Sequence, residues 1–272
     1  MSKLYVVGTP IGNLSDMSPR AVETLNDVDF IAAEDTRVTM KLLNHFNIKK
    51  PMVSYYEHNK RERGEVICER ILEGESCAIV TDAGMPCISD PGEDLIKLCE
   101  QKGIPVFVVP GPSAVISALA VSGLDTGRFC FEGFLSVNKK SRKEHLELLK
   151  NESRTMVFYE APHKLPTTLR DLYDFFGERK LSIVREITKI HEEVIRTTTK
   201  HAAEALADSG IKGEIVLVLE GKQPDDKDEY TLEQAVELAK KLIDEGSKLG
   251  DAAKEAATVT GFKKNEIYKE LV

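Results

Sequence analysis

The sequence predicts an α/β protein: a largely parallel sheet, then a second α/β region with a mixed sheet, then a short helical tail. Three observations predict it. Strand-like and helix-like segments alternate through most of the 272 residues, as successive βαβ connections require. The early strands end in clusters of Gly, Pro, Asp or Ser. Two strand-like runs, "LSIVREI" and "EEVIRTTT", then follow one another with no helix between them, which implies a hairpin around Lys189 to Glu192.

The elements follow in order. "LYVVG" is a short apolar run ending in Gly, as a buried parallel strand would. Ser18 as N-cap and Pro19 at the first helical position open "SPRAVETLNDV". "DFIAAEDT" and "MVSYYEH" are strands that end on polar residues, with the helix "RVTMKLLNHF" between them. "KRERGEVICERILEG" is an amphipathic helix closed by Gly74, and "CAIVTD" is the fourth strand. In "VTDAGMPCISDPGED", Asp90 as N-cap, Pro91 and Glu93 resemble a capping box for "EDLIKLCEQK". "IPVFVVPGPSAVISALAVSGL" repeats the scheme, with a helix from Ser113.

A seam lies near "LDTGR", so domains are expected over 1–124, 125–222 and 223–272. In the second, "FCFEGF", "TMVFYEA", the hairpin pair and "GEIVLVLEG" are strands, with helices at about 141–150, 163–175 and 200–208. "GKQPDDKDEY" is a polar linker, and three short helices follow it. The last two, joined by "TGF", have helix-turn-helix spacing.

Composition narrows the function. The net charge is −8, with 37 Lys and Arg against 45 Asp and Glu. Any nucleic-acid contact must therefore use a local patch, and "NKKSRK" is the candidate. No apolar run is long enough to span a membrane, and the N-terminal stretch lacks the apolar core of a secretory signal. Five cysteines with no CxxC spacing argue for reduced thiols in a cytoplasm. Six histidines with no HxH or HxxxH pair argue against a metal. GxSxG is absent, and Cys87 reads as a small filler rather than a nucleophile.

Four strand ends, "VVGTPIGN", "AAEDTR", "VTDAGMP" and "VVPGPSA", describe one rim, the place where open α/β sheets bind ligands. Neither a GxGxxG nor a P-loop pattern is present. Pro91, Pro110 and Pro112 remove backbone donors where phosphate would need them. Unpaired carbonyls would suit a positively charged sulfonium.

The ordered motifs "VVGTPIGNLSDMSPRAVETL", "AAEDTR", "TDAGMPCISDPG", "VVPGPSAVISALAVSGL", "FEGFL", "FYEAPHK", "REITKIHEE" and "KGEIVLVLEG" resemble the RsmI family of ribosomal RNA small subunit methyltransferases, within the tetrapyrrole-methylase superfamily. The resemblance runs from about residue 3 to 221, and the terminal helices resemble the small final domain of many members. It implies two unlike α/β domains of tetrapyrrole-methylase type and a homodimer. It also implies S-adenosylmethionine as cofactor, and methylation of a cytidine ribose 2′-hydroxyl in the decoding centre of 16S rRNA, in the assembled small ribosomal subunit.

By position, the resemblance implies cofactor contacts at Gly8, Pro10, Ile11, Asp82, Gly84, Met85, Ile88, Ser113, Ala114, Tyr159, Ile187 and Glu214. Met85 and Ala161 depart from the Thr and Ser common at those places. A ribose hydroxyl needs a base, for which Asp35, Glu160 and His163 are candidates. Arg37, Lys164, Lys139, Lys140, Arg142 and Lys143 are candidates for holding RNA phosphates. No metal and no membrane are expected. Two other readings stay open: a related enzyme methylating a small molecule, and a non-catalytic RNA-binding module on the same scaffold.

Overall fold

The computed structural model describes residues 2–206, 210–223 and 230–271. Residues up to Glu220 form one compact unit and those from Gly221 a second. In the first, β1 (Leu4–Val7), α1 (Pro19–Asp27), β2 (Phe30–Ala33), α2 (Thr36–His45), β3 (Met52–Ser54), α3 (Lys60–Leu72), β4 (Cys77–Val80), α4 (Glu93–Gln101), β5 (Val106–Val109) and α5 (Ala114–Ser122) alternate along the chain. The strands make a five-stranded parallel sheet in the order β3-β2-β4-β1-β5.

The period-2 pattern explains the two layers around this sheet. Phe30, Ala32, Cys77 and Ile79 pack against Ile67, Ile71, Leu95 and Cys99 of α3 and α4. The alternate residues Ile31, Ala33, Ala78 and Val80 pack against Ala21, Leu25 and Leu43 of α1 and α2.

β6 (Phe129–Phe134), α6 (Lys139–Leu148), β7 (Thr155–Glu160), α7 (Leu165–Phe176), β8 (Lys180–Arg185), β9 (Glu193–Thr198), α8 (Thr199–His201) and β10 (Ile215–Leu219) build a second, mixed sheet in the order β6-β7-β10-β8-β9. β6 and β7 are parallel; the other pairs, including the expected β8–β9 hairpin, are antiparallel. One face packs on Leu146, Leu169 and Leu172 of α6 and α7. The other, carrying Val157, Val184, Val216 and Val218, packs on Val115, Ala118 and Leu119 of α5. The helix that ends the first series thus covers the second sheet.

In the second unit, α9 (Leu232–Asp244), α10 (Leu249–Thr260) and α11 (Lys264–Leu271) pack through Ala235, Ala239, Ala253, Ala256 and Ile267. Thr231 and Gln234 close a reciprocal capping box on α9. Six positions of the expected linker, 224–229, lie outside the described residues, as do 207 and 208 of the helix expected at 200–208.

Two expectations need correction. Asp90 does not cap α4; Gly92, at φ 143°, takes that position and the helix starts at Glu93. The helix expected at about 141–150 starts earlier, inside the basic run. Asn138 accepts from the Lys140 and Ser141 amides, so α6 begins at Lys139.

Candidate functional site

A cleft of ≈ 710 Å³ opens between the carboxyl ends of the first sheet and the α5-facing side of the second. Its walls come from the loops after β1, β2, β4 and β5 and from the ends of β6, β7, β8 and β10. Backbone contacts hold the first set of loops together. The Thr9 N–H donates to the Gly84 carbonyl at 2.9 Å, the Gly84 N–H returns to Thr9 at 3.2 Å, and the Thr9 hydroxyl donates to Thr81. Gly8 and Gly111 touch backbone to backbone: a Cβ on Gly8 would stand 2.7 Å from the Gly111 Cα and 2.6 Å from the Met85 sulfur. Only glycine fits there. The Gly111 N–H donates to the Met85 Sδ at 3.3 Å, so the thioether satisfies an otherwise idle donor and also lines the cleft.

Between Gly84 and Gly92 the backbone is bent into left-handed conformations at Gly84 (φ 91°), Cys87 (72°), Ser89 (61°) and Gly92 (143°). Two of these are not glycine, a strained arrangement typical of ligand sites. The bends place Asp82, Met85, Ile88 and Asp90 on the cleft wall. Cys87 turns inward onto Gly92, where burial pushes its thiol up to about 11, against any role as a nucleophile.

The acidic groups divide by environment. Burial, followed by the Glu34 carboxylate, pushes the Asp90 carboxyl up to about 6. The same two causes, in the same order, raise Asp82. Glu34, also on the wall, accepts from the Thr81 hydroxyl at 2.5 Å. Asp35 behaves oppositely. It caps α2, accepts from the Arg37 amide and guanidinium at 2.8 and 2.6 Å, and is held down at about 2 by that partner. It lies off the cleft wall, and its backbone N–H donates to Asp82 at 3.2 Å.

Glu160 lies on the wall, 4% exposed, with one oxygen accepting from the Ala161 N–H at 2.8 Å and the other from the Thr168 hydroxyl. The Thr168 oxygen accepts in turn from Arg142 at 2.8 Å, and Arg142 pairs with Asp171 at 2.6 Å. Arg142 is therefore an internal anchor rather than a free phosphate ligand, which corrects its assignment to RNA. Both Glu160 oxygens are held in place, so Glu160 is a fixed part of the wall.

Of the expected cofactor residues, Ile11, Asp82, Gly84, Met85, Ile88, Ser113, Ala114, Tyr159, Ile187 and Glu214 line the cleft; Gly8 and Pro10 are buried behind it. His163 is exposed and Lys164 half-buried just before α7; neither lines the cleft. Lys139, Lys140 and Lys143 are exposed on α6. Glu214 is tied, with Glu186, to Lys189 at 3.0 and 2.9 Å.

Sequence reasoning missed Asp90, Glu34 and Phe134 as wall residues. The signals were present: Pro91-Gly92 argues against a helix start at Asp90, and Gly133 in "FCFEGF" marks a bulge in a strand.

Residues 3–203 match the model of the family described as Tetrapyrrole (Corrin/Porphyrin) Methylases. A protein of Synechocystis called ribosomal RNA small subunit methyltransferase I is 44% identical over 99% of this chain and 97% of its own length. One of that name from Thermotoga maritima is 49% identical over 82% of this chain and all of its own. Among solved structures, a uroporphyrin-III C-methyltransferase from Thermus thermophilus, complexed with S-adenosyl homocysteine, superposes with a TM-score of 0.57 at 16% identity, over 80% of this chain and 97% of that one. A cobalt precorrin-4 methyltransferase superposes with a TM-score of 0.60 at 18% identity, over 80% and 94%.

Proposed function

The chain belongs to the tetrapyrrole methylase family, among the ribosomal RNA small subunit methyltransferases I, and from that premise we propose that it methylates 16S rRNA in the small ribosomal subunit, at the 2′-hydroxyl of a cytidine ribose. The observation that carries the reading is the cleft: apolar walls, carboxylates on its lining, and a strained loop that carries Asp90.

The cleft suits S-adenosylmethionine. Its volume is in the range of small-molecule sites. Ile11, Met85, Ile88, Ile187 and Val216 offer apolar surface, and Glu34, Asp82 and Asp90 face inward where positive charge would sit. These residues would hold the cofactor, which when bound supplies the electrophilic methyl group. Asp90 accepts the proton of the ribose hydroxyl. Its carboxyl, near 6, is ionised at neutral pH yet basic enough to take a proton, whereas Asp35, near 2, is too weak a base. Glu160 fixes the opposite wall, and holding substrate and cofactor between the two walls supplies alignment.

The lysines of α6 support an RNA substrate. Lys139, Lys140 and Lys143 crowd a helix start with no acidic residue in its first turn, a placement the helix dipole disfavours. That arrangement suits phosphate binding. Edge strand β5 leaves Phe107 and Val108 about half exposed, an apolar edge that supports association with a second copy.

The test uses small subunits from cells lacking the gene, the purified protein and methyl-labelled S-adenosylmethionine. Label on one cytidine ribose of 16S RNA is expected. Label on a base, or none with subunits but some with a tetrapyrrole, overturns the reading.

A further inference from the structure

Phe134 ends β6 and is 57% exposed on the rim of the cleft. A bulge puts it there. β6 pairs with β7 in parallel, Phe129 opposite Thr155 through Phe131 opposite Val157, but the next pair is Gly133 opposite Phe158, so Glu132 has no partner position. Next to it Gly133 takes φ 64°, a left-handed conformation that glycine supplies in one type of bulge. Without that shift, alternation would turn Phe134 toward α6 and α7. With it, Phe134 stands opposite Tyr159 on the cleft side.

The phenyl ring has an aromatic partner and is still more than half exposed. Its centroid lies 5.4 Å from that of Tyr159, tilted at 56°, and Tyr159 rests edge-on against Phe131 at 4.9 Å. Tyr159 and Asp90 both line the cleft. Gly133 lies close to Ser89, beside Asp90: a Cβ there would stand 3.6 Å from the Ser89 hydroxyl. A phenyl that served only the core would be covered. This one is turned outward by a bulge, backed by a second ring, and lines the same cleft as Asp90. Val137, 78% exposed, and then Lys139 and Lys140 follow within six residues.

An open aromatic face next to lysines is how proteins hold unpaired bases of RNA between flanking phosphates. We infer that Phe134 is the stacking platform for a nucleobase of the RNA substrate, holding the target nucleotide so that its ribose meets Asp90. This assignment rests on the RNA reading above. Phe134 is a positioning residue and takes no part in bond making.

The test compares the wild type with Phe134→Ala, Phe134→Leu and Phe134→Trp on unmethylated small subunits, and measures S-adenosylmethionine affinity by calorimetry. Stacking predicts that F134A lowers kcat/KM for subunits roughly 10- to 100-fold, that F134L falls with it, and that F134W recovers most of the loss. Cofactor affinity stays at the wild-type value in all three. F134A matching wild type in kcat/KM overturns the platform alone. A parallel loss of cofactor affinity shows that the ring serves the cofactor's adenine, and also overturns it. No transfer even by the wild type overturns the RNA reading and the platform's ligand together.

Discussion

Thr168→Val tests whether the Arg142–Thr168–Glu160 relay holds the cleft wall. Thr168 is fully buried, and its hydroxyl is at once donor to Glu160 and acceptor from Arg142. Valine keeps the shape and deletes both bonds. A hydrogen bond to a charged group contributes about 1.5–3 kcal/mol. Each stranded partner keeps one other bond, Glu160 to the Ala161 amide and Arg142 to Asp171. The low end therefore applies to each, and the pair comes to about 3 kcal/mol. For a unit of this size, that lowers the melting temperature by about 6–12 °C. Thr168→Ser is the control. It retains the hydroxyl and loses one buried methyl, about 1 kcal/mol. Urea unfolding and thermal melts of the three proteins, at matched concentration, give the comparison. If valine and serine variants prove equally stable, the relay contributes nothing and Glu160 is held by its backbone contact alone.

The other predictions concern chemistry and surfaces. The base form of Asp90 is the active one, so kcat/KM should rise with pH through about 6 and level above it. Asp90→Asn should remove that limb and cost roughly 10²- to 10⁴-fold in rate, whereas Asp35→Asn should preserve the limb. Charge reversal at Lys139, Lys140 and Lys143 together should leave S-adenosylmethionine affinity intact, weaken subunit binding and reduce the salt slope by about 2 to 3; an unchanged slope would place the phosphate contacts elsewhere. Phe107→Asp on the open edge of β5 should shift the protein toward monomer in analytical ultracentrifugation, and a wild type already monomeric would refute the dimer.

Much of the architecture could be read from local signals. Strand ends rich in Gly, Pro and Asp are a property of short sequence windows, and they mark the rim because parallel strands all point the same way. What failed to show was long-range. "SDPGE" is equally good as a helix start and as a strained turn, and only the packing of Gly92 against Cys87 and Ile79 decides for the turn. Arg142 reads as one more charge in a basic run because its partner Asp171 is 29 positions away. Asp35 looks like a base until Arg37 is seen to hold it near 2. Phe134 reads as one of the alternating residues of a strand, and the face it takes depends on a register shift against β7.

The position of α5 bears on how the molecule is made. Among the described residues, the valine face of the second sheet has no helix of its own; its cover is encoded upstream, before the first of that sheet's strands. A chain emerging from the ribosome has α5 in hand before Val157, Val184, Val216 and Val218 exist, so the later strands assemble onto a waiting surface. The reverse does not hold. A fragment beginning at residue 125 would carry a bare valine stripe, and cutting the chain after α5 would leave two sticky pieces.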